Sequence, residues 1–205
     1  MTLMETMDID LQQMDMSNWA PPHKACHEPR SGGAHLSSII AHLWFGSLPE
    51  SDPQRKEKER EWAVEIGAEG ERSYPLRMAL GLAWEWLAAG LYPDMVWQPG
   101  EFERDGIIGS PDGLTYDGEL PVIDEMKLTF KSCRDKDVLR DTLWMWQIKG
   151  YMAILQCTRA RLHVCYVNGD YTRPYTPIYR RYVMEIGVEE REEMWTKMFV
   201  PAAKG

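Results

Sequence analysis

Apolar residues recur at helical spacing in several stretches of the chain, and each such stretch predicts a helix. The predicted helices are 35–46, 74–90, 138–157 and 188–203, and a further helix is predicted at 55–72, which begins highly charged and ends around Gly67–Gly70. The strongest signal is 74–90, because a proline lies near its first turn, Ala, Leu and Met fill its interior, and a glycine ends it. The predicted apolar face of 138–157 consists of Leu139, Leu143, Trp146, Gly150 and Ile154.

Between residues 95 and 130 the hydrophobic period changes to two, and PG, DG, PDG and DG interrupt the stretch. This pattern predicts a meander of three short strands, at 95–103, 106–116 and 120–130. Two further strands are predicted at 161–169 and 175–187. A strand–helix–strand unit in the second half of the chain predicts an α/β fold, with a mixed sheet flanked by helices.

The size and composition are those of one ordinary globular domain. The chain has 205 residues, of which 44% are hydrophobic and 27% charged. Residues 1–34 have little pattern and predict a flexible acidic leader before a single domain at 35–205. The chain has neither an apolar run of roughly 20 residues nor the features of a signal peptide. We therefore expect a cytoplasmic protein with no membrane partner.

The four cysteines, Cys26, Cys133, Cys157 and Cys165, form no CxxC pair, and a cytoplasmic protein keeps them reduced. Cys26 has histidines nearby, which raises the question of a zinc site. The spacing typical of zinc ligands is absent, so incidental residues in a loop are the favoured interpretation. The closely spaced cysteines of iron–sulfur sites are absent as well.

Charge is distributed unevenly along the chain. The net charge is −9, which argues mildly against a nucleic-acid partner. However, 127–181 contains eleven Lys or Arg residues and four Asp residues, so this part is strongly basic and the remainder is more acidic than the average. The basic part is suited to a polyanion, although solvated Lys and Arg side chains on helix and strand surfaces explain it about equally well.

Polar residues interrupt the predicted strand 120–130 in the stretch VIDEMK. Side chains alternate along a strand, so Glu125 and Lys127 share one face, and Asp124 and Met126 share the other. A DG turn makes the preceding strand an antiparallel neighbour, which brings Asp112 towards Glu125. Two close carboxylates repel each other unless a cation bridges them, and oxygen ligands of this kind suit Mg²⁺ or Mn²⁺. Asp124 is expected to face away and form a cap or an ion pair.

The Glu of DEMK lies thirteen residues after the Asp of SPDG, and the two stretches together resemble the signature of the PD-(D/E)xK nuclease superfamily. Glu85, in the helical GLAWEW, resembles the first-helix acid of the RecB-like exonuclease branch. Gln147 and Tyr151 lie four residues apart in QIKGY and match the QxxxY element, which places both on one helix face. HLSSII, at 35–40, resembles the Ser-bearing N-terminal helix of these exonucleases, so the similarity covers about residues 35–185.

The resemblance implies a restriction-endonuclease-like core, a central mixed β-sheet flanked by helices. It also implies that Asp112, Glu125 and the carbonyl of Met126 bind Mg²⁺ or Mn²⁺, and that Glu85 reaches the same ion directly or through water. Lys127 would orient or help deprotonate the attacking water and stabilise charge on the phosphate. The reaction would be metal-assisted hydrolysis of phosphodiester bonds.

The same resemblance implies that Gln147 and Tyr151 position the lysine or contact the DNA backbone. DNA would be the substrate, with a recombination protein or further copies of the chain as partners. Small size suggests a stand-alone enzyme of the phage type, acting in the host cytoplasm in DNA recombination, repair or degradation. The cysteine set of iron–sulfur members is absent, as is a helicase motif.

Each of these residues also has an ordinary structural interpretation: Glu85 as an exposed helix acid, Asp112 as a turn former, Lys127 as a solvated strand lysine. Asp105 and Glu103 are left outside the predicted site. Two alternatives to an exonuclease stay open. One is a nuclease-fold protein that no longer cuts and binds DNA or a protein, and the other is a structure-specific or RNA-directed endonuclease.

Overall fold

The computed structural model describes residues 3–10, 33–47, 75–173 and 176–204. The strands are β1 (Leu3–Asp10), β2 (Ala34–His35), β3 (Val96–Trp97), β4 (Phe102–Arg104), β5 (Ile107–Gly109), β6 (Gly113–Asp117), β7 (Leu120–Thr129), β8 (Arg159–Tyr166) and β9 (Ile178–Glu185). The helices are α1 (Leu36–Ser47), α2 (Pro75–Gly90), α3 (Thr142–Ile154), α4 (Val188–Met194) and α5 (Val200–Lys204). A turn of π-helix at Trp195–Phe199 joins α4 to α5.

A mixed sheet of six strands, in the order β1-β9-β8-β7-β6-β3, forms the centre of the fold. β7 and β8 are parallel and connected through α3, whereas the other neighbouring pairs in this sheet are antiparallel. A smaller sheet has the order β2-β5-β4, with β2 parallel to β5. The predicted α/β fold, a mixed sheet flanked by helices, is confirmed.

Alternation along the strands gives the central sheet two different apolar faces. On one face Ile123 of β7 packs in a core with α1, α3 and the π-helical turn. On the other face Met126 of β7 packs against Trp84, Ala88 and Ala89 of α2. β7 is therefore covered by helices on both sides, which explains why its residues 122–126 are all buried.

Several predicted elements need correction. The predicted leader 1–34 contains β1, which pairs along its whole length with β9, so Leu3–Asp10 belongs to the sheet. The predicted strands 95–103 and 106–116 are each divided into two, and the resulting pieces belong to different sheets. Positive φ angles at Gln98 and Gly100 interrupt the first, and Pro111 lies at the break in the second.

The predicted helix 138–157 begins later, as α3, because the Asp141 carboxylate accepts a hydrogen bond from the Trp144 N–H (3.1 Å) and caps the helix. Gly150 and Ile154 of the predicted apolar face are buried, whereas Leu143 and Trp146 are half-buried. The opposite side of α3 is buried too, because α3 lies between the sheet and α1.

The predicted helix 55–72 and the region around Cys26 lie outside the described residues, as does the side chain of Leu139. Cys133, Cys157 and Cys165 are buried free thiols. In the described ranges, no helix has both the length and the apolar character needed to cross a membrane.

Candidate active site

The register between β6 and β7 brings the predicted acidic residues together. Gly113 pairs with Asp124 in this antiparallel ladder, so Asp112, one residue before β6, lies beside the next residues of β7. The backbone N–H of Met126 donates a hydrogen bond to Oδ2 of Asp112 (2.8 Å). The predicted proximity of Asp112 to the DEMK strand is confirmed.

Glu125 and Lys127 project from the same face of β7, two residues apart, and form an ion pair between Nζ and Oε1. Glu125 is fully buried, and the Lys127 side chain is 19% exposed. The surrounding carboxylates raise the pKa of Lys127 above its ordinary range, against the opposing effect of burial. Lys127 is therefore a charged, nearly buried cation held against Glu125.

Glu85 approaches the site from α2, on the other side of β7. Burial, together with repulsion from Asp112, raises the pKa of Glu85 to about 7, while Lys127 opposes the rise. The side chain of Gln98 is hydrogen-bonded to Glu85, and the Gln98 backbone N–H donates to the Asp112 carbonyl (2.8 Å). Gln98 thus links the two acids, and its positive φ of 50° marks a special turn. Gln98 is absent from the predicted site, because the only local signal in the sequence is the neighbouring Pro-Gly, which indicates a turn and no contact with Glu85.

The site contains more potential negative charge than positive charge. Burial raises the pKa of Glu125 to about 8, and repulsion from Asp112 adds to this effect. Burial also raises the pKa of Asp112, against the opposing effects of Lys127 and the Met126 N–H. Lys127 can balance only one of three carboxylates, so the ionised site calls for a further cation.

The residues present fit a divalent metal ion. Oε2 of Glu125 is a buried oxygen that receives no hydrogen bond from a donor group among the described residues, and such an atom is expensive to bury unless a cation or a proton binds it. In the described ranges, no group of three or more His, Cys, Asp or Glu residues forms a metal site by itself. A cation here would therefore use two carboxylates with main-chain and water oxygens, which suits Mg²⁺.

Gln147 and Tyr151 are joined by a hydrogen bond between Gln147 Nε2 and the Tyr151 hydroxyl (3.0 Å). Tyr151 belongs to the same buried core as Ile123. Since Ile123, Glu125 and Lys127 alternate onto one face of β7, α3 covers the face that carries the ion pair. The structure thus places the predicted pair on the appropriate side of the sheet, and their role stays a prediction.

Asp124 faces away from this site, as predicted. It is fully buried and accepts hydrogen bonds from Arg161 (Nε 2.7 Å and Nη2 2.8 Å), from Thr115 Oγ1 (2.9 Å) and from His163 Nε2 (2.8 Å). Burial lowers the pKa of His163, so the ring is neutral, donates to Asp124 and accepts from the Tyr179 hydroxyl (2.6 Å). Asp124 therefore anchors a polar network behind the candidate site.

Asp105, which the sequence analysis left outside the site, accepts a hydrogen bond from Trp195 Nε1 (2.7 Å). Glu103 lies in β4, in the smaller sheet. The acids brought together at the end of β7 are Glu85, Asp112 and Glu125.

Comparison with known proteins identifies the fold. No protein-family model matches the chain, and no curated protein matches its sequence. A phage-related exonuclease from Haemophilus somnus 129PT, known from its crystal structure, matches with a TM-score of 0.53 and 13% identity, over 84% of this chain and 92% of that one. The chain has the fold of a phage-related exonuclease.

Two structures of another exonuclease match less well. The alkaline exonuclease LHK-Exo from Laribacter hongkongensis has a TM-score of 0.46 at 13% identity, over 83% of this chain and 88% of that one. Its structure in complex with dAMP has a TM-score of 0.49 at 11% identity, over 83% of this chain and 86% of that one. The Haemophilus structure, which has the higher TM-score, identifies the fold.

Proposed function

We propose that the protein is a metal-dependent DNA exonuclease that hydrolyses phosphodiester bonds. The observation that carries the proposal is the buried cluster of Asp112, Glu125 and Lys127, in which one carboxylate oxygen lacks a partner. An exonuclease fold around this cluster supports the same reaction class. Lys127 pairs with Oε1 of Glu125, which leaves Oε2 available to a cation.

Asp112, Glu125 and the Met126 carbonyl would hold Mg²⁺ or Mn²⁺, with Glu85 reaching it directly or through water. When bound, such an ion lowers the pKa of water and neutralises charge on the phosphate. Because its pKa is raised, Lys127 stays protonated at neutral pH. It therefore acts by donating hydrogen bonds to the attacking water or the phosphate, and the role of proton acceptor falls to another group.

Gln147 and Tyr151 would act as a unit, because a hydrogen bond joins the Gln147 amide to the Tyr151 hydroxyl. Together they would position Lys127 or contact the DNA backbone. The substrate would be DNA, and the protein would be a phage-type nuclease that acts in DNA recombination, repair or degradation.

The test is digestion of linear and circular DNA with Mg²⁺, with Mn²⁺ and with EDTA. Lys127→Ala should reduce metal-dependent cleavage by roughly 10²–10³-fold. Lys131→Ala is the matched control, since this lysine lies just beyond the same strand and is exposed. Asp112→Asn provides a second loss-of-function variant, and urea unfolding shows whether each variant is folded.

Products released from linear DNA alone support the exonuclease. Nicked circles would instead indicate an endonuclease with the same site. Absence of cleavage with either metal, on single and double strands, would refute the enzyme and favour a DNA- or protein-binding role.

A further inference from the structure

A cavity of about 430 Å³ lies on the face of the sheet opposite Glu125 and Lys127. Its walls include Tyr92, Thr115, Tyr116, Val122, Arg161 and Arg181. Val122 and Lys127 belong to the same strand but to opposite faces, and five residues separate them by about 17 Å at about 3.3 Å per residue. The cavity is therefore distinct from the candidate active site.

Two arginines line this cavity, and both guanidinium groups lie near the ring of Tyr92. The Cζ atoms of Arg161 and Arg181 are 5.5 Å and 5.7 Å from the centre of the Tyr92 ring. Asp124 and Thr115 bind Nε and Nη2 of Arg161, whose Nη1 makes no hydrogen bond within the described residues. The charge of Arg161 is thus paired with that of Asp124, and its Nη1 group remains available as a hydrogen-bond donor.

Arg181 has no carboxylate partner among the side chains that the structure describes, which do not include those of β1. Its Nη1 donates a long hydrogen bond to the Tyr92 hydroxyl (3.4 Å), and its Nε is buried without a partner. A buried guanidinium nitrogen without an acceptor is costly, and the neighbouring Arg161 adds repulsion. An anion between the two arginines would remove both costs.

The other charged groups lining the cavity leave this imbalance in place. Arg159 forms ion pairs with Asp117 (2.8 Å) and Glu185 (2.7 Å). Asp94 is exposed at the edge of the cavity and forms no ion pair with another described residue. The unpaired positive charge is therefore concentrated at Arg181.

We propose that this cavity is a binding site for a small organic phosphate. Two guanidinium groups with free N–H donors match the oxygens of a phosphate monoester, which accepts several charge-assisted hydrogen bonds at once. Val122 and Val183 form an apolar wall for the organic part. The cavity has the size of small-molecule sites, and the proposal does not depend on whether the chain cuts DNA.

The test is calorimetric titration of the full chain in EDTA with deoxyadenosine monophosphate, deoxyadenosine and inorganic phosphate. Arg181→Gln should weaken binding of the nucleotide and of inorganic phosphate by about tenfold to a hundredfold, the effect of losing a charge-assisted hydrogen bond. Arg181→Lys should recover part of the affinity. Arg134→Gln is the control, because Arg134 is 70% exposed and outside the cavity.

Two further variants locate the ligand. Asp112→Asn should leave binding unchanged, because it alters only the candidate active site. Val183 pairs with Arg161 across the β8–β9 ladder, so Val183→Asp places a carboxylate beside the arginines and should weaken binding of the nucleotide and of inorganic phosphate. This variant tests the cavity even if Arg181→Gln fails to fold, which thermal unfolding would reveal.

Saturable binding of the phosphate compounds that is lost in Arg181→Gln and kept in Asp112→Asn supports the proposal. It is overturned if deoxyadenosine binds as tightly as its monophosphate, or if Arg181→Gln binds normally. Loss of binding in Asp112→Asn but not in Arg181→Gln would place the ligand in the candidate active site and overturn the proposal. Absence of saturable binding would also overturn it.

Discussion

Replacing Asp124 by Asn should strongly destabilise the fold, and the structure indicates why the loss is large. One carboxylate oxygen accepts from Arg161 Nε and His163, and the other accepts from Arg161 Nη2 and Thr115. An asparagine amide group has only one oxygen. In either orientation its NH₂ would point at two hydrogen-bond donors in a fully buried position.

The substitution removes at least two hydrogen bonds and leaves the Arg161 charge unpaired. Hydrogen bonds to charged groups contribute about 1.5–3 kcal/mol each, and breaking a buried ion pair costs about 3–5 kcal/mol. The Arg161 side chain is 20% exposed, so water compensates for only a small part. We expect the free energy of unfolding to fall by about 3–5 kcal/mol, and Tm to fall by roughly 6–20 °C.

Urea unfolding at pH 7 measures this difference. Asp117→Asn is the matched control, because its carboxylate pairs with Arg159 in the same sheet but is 69% exposed. It should cost no more than about 1 kcal/mol. If the two variants lost similar stability, the reasoning about buried acceptors would be refuted.

The same measurement has a pH signature. Hydrogen bonds from His163 and Arg161, together with the Arg161 charge, lower the pKa of Asp124 below its ordinary 3.8 and outweigh the opposing effect of burial. The folded state therefore favours the ionised group, and its contribution is present above pH 3.8 and lost as the pH falls below it. The stability difference between the native protein and Asp124→Asn should shrink on acidification.

Three further predictions concern other parts of the chain. In EDTA, stability should fall as the pH rises from about 4.5 towards 8, because burial raises the pKa of Glu125 to about 8 and the unfolded chain releases that proton earlier; Glu125→Gln should flatten this curve in urea titrations. Gly150→Ala should cost about 1–3 kcal/mol, because its Cβ would lie 2.6 Å from a buried leucine of α1, whereas Gly81→Ala, in open space, should add about 0.5–1 kcal/mol; thermal unfolding compares the two. Burial raises the pKa values of Cys157 and Cys165 to about 11, so a thiol reagent at pH 8 should modify these two cysteines only after unfolding. Rapid labelling of either of them in the folded protein, located by mass spectrometry of peptides, would contradict their burial.

Much of the local structure could be predicted because its causes lie within a few residues. The helix predicted at 74–90 is observed as Pro75–Gly90, since Pro and Gly mark its ends and apolar residues fill it. The strand predicted at 120–130 is observed as Leu120–Thr129. The proximity of Asp112 to β7 also followed from the sequence, because a short turn joins the two strands and determines their pairing.

Other features depend on partners far away along the chain. β1 has no turn that joins it to β9, and more than 160 residues separate the two strands. The local pattern of this acidic segment therefore predicts only a leader, and the pairing with β9 is not predictable from it. Gln98 had no chemical signal either, because its contact with Glu85 depends on how α2 packs against the sheet.

The order of residues in VIDEMK is enough to place Glu125 and Lys127 on one face of β7 and Asp124 on the other. Side-chain direction in a strand has a period of two, whatever lies around it. The contacts of each face depend on the rest of the fold: α3 and its core cover one face, and α2 and the arginine-lined cavity lie on the other. Burial and charge pairing depend on these long-range neighbours, and they make VIDEMK a candidate active site with a polar anchor behind it.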